Sequence, residues 1–480
     1  MEVASLYRRV LPTPPAVEFA SPEGRRLFAE ALEGGAMEGF FSLVSHFQTQ
    51  SEPAFCGLAS IAVVLNALAI DPGRRWKGPW RWFDESMLDC CEPLHVVRSQ
   101  GITFGKVVCL ARCAGASVRC FRADHATLHD LRAHLARCAS SHDCHLIASY
   151  HRGHFKQTGG GHFSPIGGYH AGTDMALILD VARFKYPPHW VPLTLLWEAM
   201  NTTDKATGFP RGFMLVSRQT STPSLLYTVS CGDQSWKSMA KYCVEDAPNL
   251  LKDESPDNVT TLLSRLVASL PANAGDLIKC VVEVRRKDEG GSCLSKEEKE
   301  RLLLKEKVLQ QVRDTKLFRI VQELQYPKRL CQAQANGDGP KTVIISGTMV
   351  SEGNGQSVDG PKTVISGAVV SKGNEQANGV DLLLPATPSE KSLCNPNSAN
   401  EAVKYPSSTD VLTVLLLVLH PSTWFGIRDE RVKAEFQSLV STESLPDLLK
   451  REILHLRRQL HYLTGCEGEE ACQEPMPPSP

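Results

Sequence analysis

No C-x-x-C pair occurs anywhere in the 480 residues, although the chain carries 16 cysteines. That absence excludes the zinc fingers and zinc ribbons, which hold their metal through such pairs. An excess of one charge is missing too: 52 basic residues against 53 acidic ones leave a formal net charge of -1, so no basic footprint calls for nucleic acid. Long hydrophobic runs are also absent. The most apolar stretch, Val411 to Leu419, falls far short of the roughly 20 residues that cross a bilayer, and Pro421 closes it. We read it as a buried helix. The first residues, "MEVASLYRRVLPTPPAVEFASPEGRR", lack the apolar centre of a secretory signal, and their acidic residues and prolines argue against a transit peptide. We expect a cytoplasmic protein with neither nucleic acid nor membrane as partner.

What remains is the composition of an ordinary globular chain, 42% hydrophobic and 22% charged. Its length implies two or three domains, because single cores stop growing near about 250–300 residues. Residues 1–221 read as the catalytic unit, helical at Ala54–Leu68 and Ala126–Cys138, with strands in "CHLIASYHRG", "HFSPIGGYH" and "MALILDVARF". Helices followed by an antiparallel sheet make an α+β fold. Residues 222–331 carry "SKEEKERLLLKEKVLQQVRDTKLFRIVQEL", whose spacing predicts one long amphipathic helix. Residues 332–408 form a low-complexity linker, expected to be disordered, in which "DGPKTVIISGTMVSEGN" recurs as "DGPKTVISGAVVSKGN". Residues 409–480 turn helical again before an acidic, proline-rich tail, and we expect this region to pack on the rest of the chain.

In a reducing compartment the cysteines are thiols, metal ligands or a nucleophile rather than a disulfide framework. Eight fall between Cys56 and Cys144, including adjacent Cys90 and Cys91 and the pair Cys109 and Cys113. Cys56 opens the helical run of "SEPAFCGLASIAVVLNAL". A thiol there meets unpaired backbone N–H groups and the positive end of the helix dipole, both of which favour thiolate. Small Gly57, Ala59 and Ser60 would leave room for a substrate; a buried structural thiol is the competing reading.

A nucleophilic thiol needs a base and a group to orient it. His151, His154, His162 and His170 crowd one glycine-rich segment, and His162 stands out behind Gly159–Gly161. Asp180 ends an apolar run, where a buried carboxylate demands a partner. If the two segments form a hairpin around Ala171–Asp174, an even register sets His162 opposite Arg183 and turns Asp180 away. One bulge, best placed at Gly167 or Gly168, moves His162 opposite Ala182 and brings Asp180 to its side. Gln50, with Gln48 as rival, could donate to an oxyanion.

The stretches "QSEPAFCGLASIAVVLNAL", "WRWFDESMLDCCEPL", "GITFGKVVCLARCAGA", "QTGGGHFSPIGGYH" and "LILDVARFKYPPHWVPLTLLWEAM" together resemble the plant phytochelatin synthases. The resemblance implies a papain-like fold with a Cys56, His162 and Asp180 triad and Gln50 in the oxyanion hole. Two departures from papain itself stand out: no aromatic residue follows the cysteine, and aspartate replaces asparagine. The implied reaction transfers γ-glutamylcysteine from glutathione, through a Cys56 thioester, to a second glutathione or a phytochelatin. A homodimer is allowed. No organic cofactor is implied, but soft metals such as cadmium and zinc are, as activators carried on glutathione thiolates. Cys90, Cys91, Cys109 and Cys113 are the candidate metal contacts. Glutathione carries two carboxylates, so cations should face it; among Arg152, Lys156, Arg183 and Lys185 we favour Arg183, then Arg152, with Tyr186 for the acceptor. A peptidase that merely removes glycine from glutathione or its conjugates would use the same triad. A metal-sequestering protein would need the clustered cysteine pairs that are missing.

Overall fold

The computed structural model describes residues 9–325, apart from breaks at 73–75, 78–79, 220–224, 230–235, 254–257, 272–273, 275–276, 281–283 and 287–295, and then residues 380–382 and 406–464. The first part runs β1 (Val17–Glu18), α1 (Pro22–Glu33), α2 (Glu38–Ser45), α3 (Cys56–Ala67), α4 (Leu94–Gln100), α5 (Phe104–Cys113), β2 (Ala116–Arg122), α6 (Leu128–Ala139), β3 (Cys144–His151), β4 (Gly161–His170), β5 (Met175–Ile178), β6 (His189–Pro192), α7 (Leu193–Met200) and β7 (Gly212–Arg218). The strands make one antiparallel seven-stranded sheet in the order β1-β6-β5-β4-β3-β7-β2. Helices and sheet segregate only coarsely by sequence, since β1 and β2 precede α6.

Strand periodicity sorts the two faces of this sheet. Ile147, Leu177, Met214 and Val216 enter one core with Leu58 and Ile61 of α3 and Val107 of α5. Their strand neighbours Leu146, Ala148, Ala176, Ile178, Phe213 and Leu215 enter a second core with Leu131 of α6 and Leu196 of α7. A sheet covered on both faces explains why these strands are apolar at nearly every position. Helix α3, sandwiched between sheet and α5, is buried from Gly57 through Asn66 for the same reason.

The second part contains β8 (Tyr227–Val229), α8 (Lys237–Lys241), α9 (Ala247–Asp253), α10 (Val259–Ser269), β9 (Ile278–Cys280), β10 (Val284–Arg286), α11 (Lys296–Arg313), α12 (Lys316–Gln325), β11 (Val380–Leu382), α13 (Ser408–Val418), α14 (Glu430–Val440) and α15 (Asp447–Thr464). The one long helix expected from the charged amphipathic stretch is two. Thr315 interrupts it, its hydroxyl accepting from Phe318 N–H at 3.1 Å and so starting a new helix. The apolar run after Thr409 is the buried helix expected, α13, opened by a Ser407–Asp410 capping box. No helix among the described residues is long and apolar enough to cross a membrane. Of the 332–408 stretch, Val380–Leu382 pairs with Val284–Arg286; the duplicated unit lies outside the described residues.

The helical part does pack on the catalytic part. One apolar cluster runs continuously from Leu27 and Leu58 through Val108 to Leu262, Leu415 and Leu456. Buried Glu452 of α15 accepts the N–H groups of Leu225, Leu226 and Tyr227 at 2.7–2.9 Å, fixing the chain where it leaves the sheet. Trp236 donates its indole N–H to the Cys90 carbonyl at 2.8 Å.

Candidate active site

Cys56 is the first residue of α3, and its thiol is half-buried. Gly57 behind it leaves no room for a substrate, contrary to the expectation from sequence. A Cβ there would lie 2.5 Å from Ile102 Cγ2 and 2.9 Å from Val107 Cγ2, so the missing side chain lets the helix mouth seat against α5. Ala59 and Ser60 are fully buried as well.

The hairpin that carries the base is irregular at the place the geometry demanded. His170 pairs with Met175 and Gly168 with Leu177, but Ile166 pairs with Ile178, so Gly167 is the extra residue of a bulge. Gly168 has no alternative there, because Met37 Sδ occupies the position 2.1 Å from where a Cβ would stand. Beyond Ile178 the chain leaves the regular ladder and Asp180 turns back under β4. His162 Nε2 then lies 2.8 Å from Asp180 Oδ1. A carboxylate can only accept, so the contact with Asp180 puts the proton on Nε2; Arg152 Nη2 stands 2.8 Å from the same nitrogen, and the His162 ring also interacts with the Cys56 thiol.

Asp180 is fully enclosed and well supplied. Its Oδ1 also accepts from Ala182 N–H and from Arg152 Nη2, each at 2.9 Å, and Arg152 Nη1 lies 2.8 Å from Oδ2. Arg152 is itself buried, held by Gln157 Oε1 at 2.7 Å; Gln157 Nε2 in turn meets His189 Nε2 at 3.0 Å. Gln157 and His189 carried no sequence signal, since neither spacing nor pattern links them to Asp180.

Burial alone would raise the Asp180 carboxyl, yet His162 and Arg152 hold it well below the ordinary carboxylate range. Burial works against an imidazolium at His162, but Asp180 outweighs it and the ring's pKa is raised. Burial likewise opposes the Cys56 thiolate; the His162 ring, the Phe163 N–H and Arg152 overcome it and lower the thiol. All three shifts favour a thiolate–imidazolium pair.

Gln50 is buried beside this group. Its N–H donates to Val181 O at 2.9 Å, and its side-chain Nε2 donates to Glu52 and Pro53 carbonyls at 2.8 Å, while Oε1 is unpartnered. Buried Glu85 braces the same loop through the Ser51 N–H and hydroxyl. Gln48 is only half-buried. Arg183 is exposed, its guanidinium 5.2 Å from the Phe47 ring centroid. Tyr186 is interior: its hydroxyl accepts from Thr158 N–H at 2.9 Å and its ring backs Arg152. Lys185 donates to Thr158 O, and Lys156 is exposed.

Of the four candidate metal cysteines the structure unites three. Cys90 Sγ and Cys91 Sγ are 3.6 Å apart, Cys91 Sγ and Cys113 Sγ likewise, and all three sulfurs lie within 4.8 Å of one another. Two thiolates on one tetrahedral zinc stand about 3.8 Å apart, so the spacing suits a soft ion. Cys109 does not join them, because it is disulfide-bonded and offers no thiolate.

A thiol at a helix mouth, an imidazole that lowers its pKa and a buried carboxylate bonded to that imidazole form the constellation of cysteine-dependent acyl-transfer enzymes. A family model described as phytochelatin synthase matches residues 6–213, and one described as a domain of unknown function matches residues 231–354 and 356–460. Glutathione gamma-glutamylcysteinyltransferase 1 of Triticum aestivum is 75% identical over 507 aligned residues and 100% of both chains. The protein of that name from Arabidopsis thaliana is 54% identical over 97% of each chain. The Schizosaccharomyces pombe transferase is 39% identical over 54% of this chain and 61% of its own length. The chain belongs to the phytochelatin synthase family.

Proposed function

We propose that the chain is a glutathione γ-glutamylcysteinyltransferase that builds phytochelatins. The His162–Asp180 hydrogen bond, together with the lowering of the Cys56 thiol by the His162 ring, is the observation that carries this reading. Cys56 thiolate attacks the carbonyl of the Cys–Gly bond of glutathione, and His162 protonates the departing glycine amine. The γ-glutamylcysteinyl thioester is then taken by the α-amine of a second glutathione or a phytochelatin, with His162 as base. Asp180 keeps Nε2 protonated so that Nδ1 serves the sulfur. Gln50 assists the oxyanion by turning one N–H from the loop carbonyls to the substrate oxygen.

The closed position of Arg152 makes it the positioning partner of Asp180, and that of Tyr186 a support for Arg152. Exposed Arg183 is the cation offered to a substrate carboxylate. Soft metal ions enter on the thiolates of the acceptor, as part of the substrate, and Cys90, Cys91 and Cys113 are the residues that would hold such an ion directly. We assign the catalytic unit to residues 1–221, with a papain-like placement of α3 against the sheet, and a cytoplasmic setting.

Incubation with glutathione and cadmium, followed by mass spectrometry, tests the proposal. Oligomers of γ-glutamylcysteine are expected, and Cys56→Ser should abolish them. Release of only glycine and γ-glutamylcysteine would make the enzyme a peptidase instead.

A further inference from the structure

Two other cysteines meet where α6 ends and β3 begins. Cys138 is buried in the last turn of α6, and Cys144 is the half-buried first residue of β3. Both are reduced thiols, with their sulfurs 3.2 Å apart. The five residues between them, "ASSHD", fold into a tight reversal in which Ser141 N–H donates to Cys138 O at 3.2 Å and Asp143 N–H to Ser141 Oγ at 3.1 Å.

The separation discriminates between uses. It is shorter than the about 3.8 Å bite of two thiolates on a tetrahedral zinc, and only two donors are present, so this is a poor cation site. A disulfide needs the sulfurs at about 2.0 Å, a closure of roughly 1.2 Å that side-chain rotation at the two ends of the intervening turn can supply. The two thiols are also unequal. The Cys138 hydrogen bond and the nearby Arg137 and Arg119 bring Cys144 down to about 7 in spite of burial, whereas its contact with Cys144 and burial push Cys138 up. The half-buried member is therefore the better nucleophile and the enclosed one the thiol that resolves.

We propose that Cys138 and Cys144 form a second thiol site, one that undergoes dithiol–disulfide exchange with a small anionic disulfide of the glutathione type. Cys144 thiolate attacks one sulfur of that disulfide, breaking its S–S bond, so that one glutathione leaves as a thiolate and the other remains joined to Cys144. Cys138 gives its proton to solvent and attacks the Cys144 sulfur, releasing the second glutathione. Two protein thiols are oxidised and one glutathione disulfide is reduced to two glutathiones. Arg137 and Arg119 favour the carboxylates of such a partner. The site lies about 20 Å along β3 from Tyr150, the cross-strand neighbour of His162, and is separate from the catalytic thiol.

The test uses full-length Cys56→Ser protein, which removes the catalytic thiol. It is equilibrated with glutathione and glutathione disulfide in graded ratios, alkylated, digested and mapped by mass spectrometry. The expected product is a linked Cys138–Cys144 peptide, two hydrogens lighter than the reduced pair, increasing with the disulfide ratio. Adding Cys138→Ser should trap glutathione on Cys144, and adding Cys144→Ser should slow reaction at Cys138 more than tenfold. Alkylation of both cysteines across all ratios in the parent protein would overturn the proposal without reference to either variant. Preferential glutathione capture by Cys138 would overturn the assigned roles.

Discussion

Arg152 and Asp180 form an ion pair with Nη1 and Oδ2 at 2.8 Å and side chains only 3% and 0% exposed. Counted with the Cys56 thiolate and the His162 imidazolium, the pair leaves the buried site with no net charge. Here the aspartate is matched by an arginine. The aspartate is therefore half of a compensated pair, and the arginine is the half that sequence motifs did not reveal.

Removing one member of such a pair strands the other, at a cost of about 3–5 kcal/mol. Arg152→Met and Asp180→Asn should each lower stability and kcat severely, while Arg152→Met leaves KM for glutathione within about twofold. The double variant should be less impaired than the sum of the singles, because it leaves no uncompensated charge. A double-mutant cycle on urea midpoints and kcat measures this. A raised KM with kcat intact in Arg152→Met would instead make Arg152 a substrate contact.

The pH profile follows from the signs of the shifts. Cys56 is lowered and His162 raised, so the thiolate–imidazolium pair persists between the two values, and alkylation of Cys56 by iodoacetamide should stay fast below the ordinary thiol range. Asp180→Asn withdraws the group that raises His162, leaving burial and Arg152, so the alkaline limb of activity should move to lower pH. Asp180 also contributes to acid stability. Its folded value is depressed, so its contribution is present above about 3.9, the unfolded value, and is lost as pH falls below it. Asp180→Asn should flatten that acid decline in thermal melts.

Gly57→Ala tests the seat of the nucleophile helix. The added methyl meets Ile102 at 2.5 Å and Val107 at 2.9 Å, an overpacking that costs about 1–3 kcal/mol. Thermal denaturation should show the loss, and pairing with Ile102→Ala, which removes the Cγ2 of the nearer contact, should recover part of it. An unchanged melting temperature would show that α3 is not held by this contact.

Elements whose cause is local were legible in the sequence. The apolar run after Cys56 is α3, and the bulge at Gly167 followed from requiring His162 and Asp180 on one side of a hairpin. What depended on a distant neighbour was not. Gly57 read as space for substrate because nothing in its surroundings announces Ile102, 45 residues later. Arg152 read as a cation for a substrate carboxylate because a sequence shows charge but not depth. Cys109 and Cys113, one turn apart on α5, both read as metal contacts, yet of the two Cys113 is the one grouped with Cys90 and Cys91 among the described residues.

That three-thiol group gives the last prediction. Contact with Cys90 and Cys91, and then burial, push the Cys113 thiol well up, so it is protonated at neutral pH and a bound soft cation must expel its proton. Cadmium or zinc titrated into Cys56→Ser protein should therefore bind with proton release, read by calorimetry in buffers of different ionisation enthalpy. Cys113→Ala should weaken binding by at least tenfold, whereas Cys243→Ser, a buried thiol elsewhere, should not. Trp236 supplies an internal reporter, because its indole N–H holds the Cys90 carbonyl at 2.8 Å. Its emission should change on metal addition and cease to do so in Trp236→Phe, with the calorimetric signal retained. The indole belongs to the helical part of the chain and the thiols to the catalytic part, so a metal on the sulfurs would act at their junction. Binding that is unaffected by Cys113→Ala would place the ion elsewhere and leave the three sulfurs as core packing.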